Sequence, residues 1–183
     1  MKSNIKKTTY RAIYRLLNKV STVPYDCGEL CNESCCKISG SHMGIYLYPG
    51  EEKVFSRKES WLSWEIENAE DYEFPESWKG KIYFVRCKGV DECQRAIRPL
   101  QCRFFPLAPH ITNDKQLVLI RYNESLPYSC PLITKKMDLN PDFTKATYTV
   151  FKRLVKDVRI YDLILMDSRL RNSNDIEIIY SPD

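Results

Sequence analysis

Apolar side chains recur along this chain at two different spacings. Over residues 3–20, Tyr10, Ile13, Leu16, Leu17 and Val20 return every three or four positions, which predicts an amphipathic N-terminal helix. Lys7, Arg11, Arg15 and Lys19 stripe its other side, and no acid precedes Asp26. The plain reading of that stripe is a solvated face of a packed helix; the sharper one is a surface for an anionic partner such as membrane or nucleic acid. Near the other end, Asn140 and Pro141 in "LNPDF" form a helix-start signal, an N-cap followed by proline at the first helical position. Phe143, Val150, Phe151, Leu154, Val158, Tyr161 and Leu165 then trace one apolar stripe, predicting a single long C-terminal helix over about 141–166.

Between these helices the pattern changes. "KIYFVR" (81–86) and "LVLIRY" (117–122) have the β-branched and aromatic content of strands. A short strand-like run within 42–52 ends at the Pro49–Gly50 turn, and a short apolar stretch, "IEIIY", closes the chain. Residues 57–80 carry Glu65, Glu67, Glu70, Asp71, Glu73 and Glu76 beside Trp61 and Trp64, and are expected as a helix lying over the core. Its acids read as a solvated face, with a substrate-binding patch as the sharper alternative. The segment 87–113, rich in proline and cysteine, is expected to be irregular.

A chain of 183 residues, 43% hydrophobic and 28% charged, is long enough to bury a core as one domain, taken here as 1–183. The expected fold class is α+β: N- and C-terminal helices on a small β-sheet, with long irregular cysteine-rich loops. The net charge of +4 does not call for a nucleic-acid partner. No stretch approaches the roughly 20 apolar residues of a membrane span. The N-terminus starts basic but lacks the apolar block and cleavage site of a signal peptide, so a cytoplasmic location is expected.

That compartment bears on the eight cysteines. Reducing cytosol disfavours structural disulfides, and clustered thiols there more often bind metal or do redox chemistry. Cys27, Cys31, Cys35 and Cys36 form a C-x3-C-x3-C-C loop, and thiolates suit zinc, copper(I) and iron–sulfur clusters. Two adjacent cysteines bind one ion awkwardly, so one of Cys35 and Cys36 is expected to serve a different ion, bridge, or stay apart. Cys87, Cys93, Cys102 and Cys130 follow at wide spacing, and one or two of them could be ordinary core residues. Arg98 and Arg103 flank Cys102. A cation there favours the ligating thiolate, balances a cluster's negative charge, binds an anion, or pairs with surface acids.

Other chemistries lack their motifs. A radical S-adenosylmethionine signature needs C-x3-C-x2-C, whereas the second gap here holds three residues in a chain short for that family's barrel. There is no C-x2-C pair, no H-E-x-x-H, no phosphate-cradling glycine loop and no G-x-S-x-G, and His42 and His110 are isolated.

At "CGELCNESCC" (27–36) and "RPLQCRFFP" (98–106) the chain resembles the bacterial YkgJ-like cysteine-cluster family, described as a zinc- or iron-chelating domain. The second block matches that family's R-P-x-x-C-R-x-F-P position for position. The first has one extra residue before the Cys35–Cys36 pair. The resemblance covers about residues 20–135 and extends to blocks like "YPGEE" and "CPL". It implies a cytoplasmic metal-binding domain with Cys27, Cys31, Cys35, Cys36, Cys93 and Cys102 as candidate ligands, and Cys87 and Cys130 less securely. A related cluster occurs in flagellin lysine methylases, although most members have no assigned reaction.

Three functions therefore compete. The first is an iron–sulfur protein in redox or cluster-assisted modification chemistry, favoured by Cys130–Pro131, since proline follows the last cysteine in some ferredoxin motifs. The second is a zinc-stabilised binding module with a protein partner. The third, ranked last, is an enzyme related to the protein-lysine methylases. Whether any reaction is catalysed stays open at this point.

Overall fold

A computed structural model describes residues 3–37, 44–171 and 175–182. His42 and Met43, where the strand-like run 42–52 begins, lie outside the described residues. Helix α1 (Lys7–Leu17) buries Tyr10, Ile13, Tyr14 and Leu17, the spacing of one helical face, and leaves the four basic residues of its stripe exposed. It is shorter than the expected 3–20. The chain leaves the helix at Asn18, so Val20 lies beyond it and Tyr14 joins the buried face.

The early cysteines follow in a 3-10 turn, Cys27–Leu30, and a single helical turn, α2 (Ser34–Lys37). Strand β1 (Ile45–Tyr46) leads into the Pro49–Gly50 turn. Gly50 sits at φ 91, and a Cβ there would come within 2.8 Å of Ser3 Cβ, so the turn requires glycine on two counts. Strands β2 (Leu62–Asn68) and β3 (Lys81–Cys87) complete an antiparallel sheet in the order β1-β3-β2.

Strand β2 corrects the expected helix over 57–80. The run from Leu62 alternates toward and away from the sheet, and β3 offers it seven paired positions, from Leu62↔Cys87 to Asn68↔Lys81. Its acids are part of that pairing: the Arg86 guanidinium donates to Glu65 across the strands at 2.9–3.2 Å.

The segment 87–113 is likewise more regular than expected. It contains a short helix, α3 (Leu100–Phe104), and strand β4 (Leu107–Ile111). Proline disguised both. Pro99 stands just before α3, and Pro109 lies within β4, an edge strand that can spare an amide donor. Strand β5 (Leu117–Arg121) pairs with β4 from Leu107↔Arg121 to Ile111↔Leu117.

After one turn of helix, α4 (Pro131–Thr134), the expected long helix is two: α5 (Pro141–Leu154) and α6 (Val158–Leu170). Asn140 caps α5 as expected, its side chain accepting from the Asp142 amide at 2.9 Å. The break comes at Asp157, which is 1% exposed and caps α6 through the Arg159 amide at 3.1 Å. Asp157 also accepts from Ser3 Oγ at 3.0 Å and the Asn4 amide at 3.2 Å. In sequence the apolar period runs on from Leu154 to Val158, Tyr161 and Leu165, which is why it read as one helix, but α6 buries Ile160, Leu163 and Ile164 instead and leaves Val158 59% exposed. Strand β6 (Ile178–Tyr180) pairs with β5, giving a second antiparallel sheet, β4-β5-β6.

The architecture is α+β, with two small antiparallel sheets where one was expected. A single hydrophobic cluster joins Tyr10 and Leu17 of α1, Ile82 and Val85 of β3, Leu100 and Phe104 of α3, Leu119 of β5, and Phe151, Leu154, Ile160 and Ile164 of α5 and α6. The molecule is thus one compact domain. Phe151 lies at its centre, 4.4 Å from the Phe104 ring and 6.5 Å from that of Tyr48. Truncating such a ring costs about 3–5 kcal/mol. The same residues fix α3, and with it one limb of the candidate site.

Candidate functional site

Helix α3 is held by a buried carboxylate. Glu51, in the turn after Gly50, is 0% exposed. Its Oε1 accepts from the Leu100 amide at 2.8 Å and the Tyr14 hydroxyl at 2.7 Å, and its Oε2 from the Tyr48 amide at 3.0 Å. Burial pushes its carboxyl up to about 7, against the pull of these three donors. Gln101 Nε2 adds a bond to the Tyr46 carbonyl at 2.7 Å. Leu100 and Phe104 point into the core, and Cys102 is left facing a cavity.

That cavity, of about 440 Å³, is bounded on one side by Cys35, Cys36, Cys87, Cys93, Cys102 and Arg98. Four separate pieces of chain bring these residues together: α2, the end of β3, the loop after it, and α3 with the residues just before it. Arg98 Nε donates to Cys93 Sγ at 2.8 Å. The Cys87 thiol donates to the Gly89 carbonyl at 3.3 Å. Cys102 is open to solvent along the cavity yet deep among protein atoms; this enclosure pushes its thiol up to about 12, with Arg98 pulling the other way.

Cys35 and Cys36 stand with their sulfurs 3.9 Å apart. The Cys35 thiol first, and then Arg98, pull Cys36 below its ordinary value against the effect of burial. Cys36 and then burial push Cys35 up in exchange.

Cys27 and Cys130 meet elsewhere, in a small apolar cluster with Val23 and Leu132. Burial raises both thiols. The Cys31 sulfur lies 4.0 Å from the Cys27 and Gly28 carbonyls, in the turn that carries it. No two of the eight cysteines are joined in a disulfide.

The chemistry of this donor set fits a thiophilic metal, and a guanidinium already donates to one sulfur. Convergence is incomplete: among the described residues, no three His, Cys, Asp or Glu side chains close on a point that one ion could occupy. Arg103, expected beside the thiols, turns away from them. Its guanidinium donates to the Arg95 and Ala96 carbonyls at 3.2 and 2.9 Å and to Asn18 Oδ1 at 2.6 Å, and lies over the Tyr14 ring. It braces the backbone between Cys93 and Cys102. Its place is explained by those carbonyls, which offer a guanidinium more than one acceptor at once.

Two features escaped the sequence reading. Glu51 sits in "YPGEE", read as a turn and a block of the resemblance, and nothing in a pair of adjacent glutamates says that both are buried or that Glu51 takes the α3 amide. The same cavity is lined by Asp167 of α6, Arg171 at the C-terminal cap of that helix and the loop residue Glu124. An Asp and an Arg four apart on a helix read as an exposed pair, yet the Arg171 side chain is only 4% exposed. Among the described residues no helix is long and apolar enough to cross a membrane.

No protein-family model matches this chain, and no curated protein or solved structure matches it either.

Proposed function

We propose that this chain is a thiolate metal-binding protein, iron–sulfur ahead of zinc, serving redox or cluster-assisted modification chemistry in the cytoplasm. The observation that carries the reading is the gathering of five cysteines from separate segments along one wall of a cavity, with Arg98 donating to Cys93 at 2.8 Å. Cysteines kept only for packing would not need a half-buried guanidinium among them. The motif resemblance to the YkgJ-like family points the same way.

The eight thiols sort into two neighbourhoods. Cys36, Cys87, Cys93 and Cys102 border the cavity around Arg98. Cys27, Cys31 and Cys130 lie at the other side of the early loop, and Cys35 stands between the two. Adjacent Cys35 and Cys36 would then belong to different groups, which removes the strain of two neighbours binding one ion. A bound iron–sulfur group would supply one-electron chemistry at the cavity wall. The chain's own residues hold the scene for it. Arg98 offsets thiolate charge, Glu51 fixes the start of α3 and so the position of Cys102, and Arg103 braces the intervening loop.

The test is purification without oxygen, followed by counts of iron, sulfide and zinc per chain for the native protein and for Cys102→Ser and Cys130→Ser. Iron with sulfide, reduced separately by each variant, is the expected result. Stoichiometric zinc without sulfide would replace iron by zinc and make the protein a zinc-stabilised module. No metal under any loading condition would overturn the reading.

A further inference from the structure

The cavity has a second group of charged residues that the thiols do not use. Glu124, Asp167 and Arg171 lie near one another on its lining, beside Tyr46, Tyr48 and Tyr122. Arg171 is committed in part: its Nη1 donates to the Pro109 carbonyl at 3.0 Å, and its Nε lies 3.3 Å from the half-exposed Glu124 Oε1 without a hydrogen bond. Glu124 is committed as well, accepting from the Tyr122 hydroxyl at 3.1 Å. Asp167 is left over. Among the described residues its carboxylate takes no hydrogen bond and no ion pair, and it faces the cavity from α6.

We propose that this cavity binds an organic cation, an amine carried on an apolar body, with Asp167 as its counter-ion. Two carboxylates against one guanidinium leave this group one negative charge in excess. An unpaired, largely enclosed carboxylate is costly unless a cation completes it, and burial accordingly holds Asp167 up at about 6, with Arg171 opposing. An anionic ligand is disfavoured, because its charge would meet both the Asp167 and Glu124 carboxylates beside this one guanidinium. The walls suit the rest of the ligand. Tyr46, Tyr48, Phe104 and Phe105 offer flat apolar and π surface, and aromatic faces attract cations. A volume of about 440 Å³ falls in the range of small-molecule sites.

An amine seated on Asp167 would share its cavity with Cys36 and Cys102. That juxtaposition matters to chemistry only on the metal-binding reading, whereas the amine site itself stands without it.

The experiment uses matched probes on the full chain: tryptamine, octylamine and benzyltrimethylammonium against indole-3-propionate, octanoate and octanol. Binding is read by calorimetry and by the rise in melting temperature. At least one amine is expected to bind at least tenfold more tightly than its acid and neutral counterparts. Asp167→Asn is expected to remove about tenfold or more of that affinity, the scale of a charge-assisted hydrogen bond, while its metal content stays that of the native protein. Leu126→Trp, which narrows the cavity from a half-buried loop position, is expected to weaken the same amine with Asp167 intact. Acids binding as well as amines, no amine binding at all, or both variants retaining full amine affinity would each overturn the proposal. Loss of metal in Cys102→Ser with amine binding retained would separate the two sites.

Discussion

Helix α3 and the early cysteine loop face the same cavity and are held in opposite ways. In α3, Leu100 is 0% and Phe104 2% exposed, a buried carboxylate fixes the first amide, and Gln101 ties the helix to β1. The turns Cys27–Leu30 and Ser34–Lys37 bury no residue at all. Their bonds are short-range: Asp26 Oδ1 accepts from the Gly28 amide at 3.0 Å, and Ser34 Oγ donates to the Cys31 carbonyl at 2.6 Å. Asn32 and Glu33 carry the loop around at φ 51 and 57, a conformation that side chains other than glycine adopt at a cost. Longer reach comes from the Arg95–Asp26 ion pair and from Cys27 against Cys130. One limb is thus part of the scaffold, and the other is attached to it. On the metal-binding reading, α3 offers a thiol already in place and the loop closes onto it, which accounts for the incomplete convergence of the donors.

The largest effect that would test this contrast is at Glu51. Glu51→Ala leaves the Tyr14 hydroxyl and the Tyr48 and Leu100 amides without their acceptor inside the core. At about 1–3 kcal/mol for each orphaned buried donor, a loss above about 3 kcal/mol is expected in urea unfolding. A loss below 1 kcal/mol would mean that α3 is no better anchored than the loop.

The same carboxyl gives the scaffold limb a pH signature. Its pKa is about 7 when folded, against an ordinary 4.5, so the folded state holds this proton more tightly than the unfolded chain does. Its contribution to stability is full below 4.5, declines as pH rises, and is gone above about 7. The interval corresponds to about 3 kcal/mol. The groups facing it are Tyr10, Tyr14 and Tyr48, whose hydroxyls are raised chiefly by burial, with Glu52 and Arg103 further out. Native protein is therefore expected to lose stability between pH 4.5 and 7 relative to Glu51→Gln, as read by urea midpoints at each pH. Parallel profiles would contradict the burial argument.

Smaller effects belong to the thiol wall and the loop. Arg98→Ala is expected to weaken metal retention about 10–100-fold in chelator competition, with little change in the circular dichroism of the fold. Arg95→Ala removes an exposed ion pair, and its cost in folding stability is expected below about 1 kcal/mol. A larger cost would show that the loop is more firmly fixed than its lack of buried residues implies.

Much of the scaffold could be read from periodicity, and the reasons for the exceptions are local. Strand β3, strand β5, α1 and the α5 start stood out because their apolar spacing or capping residues act within a few positions. The acids of β2 hid a strand, since Glu65 finds its partner Arg86 21 positions later. Asp157 broke a helix that the apolar period in sequence did not, because a cap acts on backbone amides; beyond the break Ile160, Leu163 and Ile164 face the core and Val158 faces solvent. The cysteines could be recognised by spacing alone, but their division into two neighbourhoods depends on where β3 ends and where α3 is pinned. The acidic part of the cavity lining left no mark in sequence, because Glu124 and Asp167 come from different elements and meet only in three dimensions.

The bond network of Asp157 also bears on how the chain is made. Ser3 and Asn4 reach a carboxylate more than 150 positions later, and α1 rests on α5. As a ribosome extrudes the chain, the apolar face of Tyr10, Ile13, Tyr14 and Leu17 emerges ahead of its partners; the turn around Glu51 and Phe55 covers part of it early, and the rest waits until α5 and Asp157 have left the exit tunnel. At about 5–20 residues per second that wait lasts from several seconds to about half a minute. Contacts of such sequence separation also slow the final closure. A truncation before α5 is therefore expected to leave part of the α1 face without its cover, although the turn around Glu51 still packs on it.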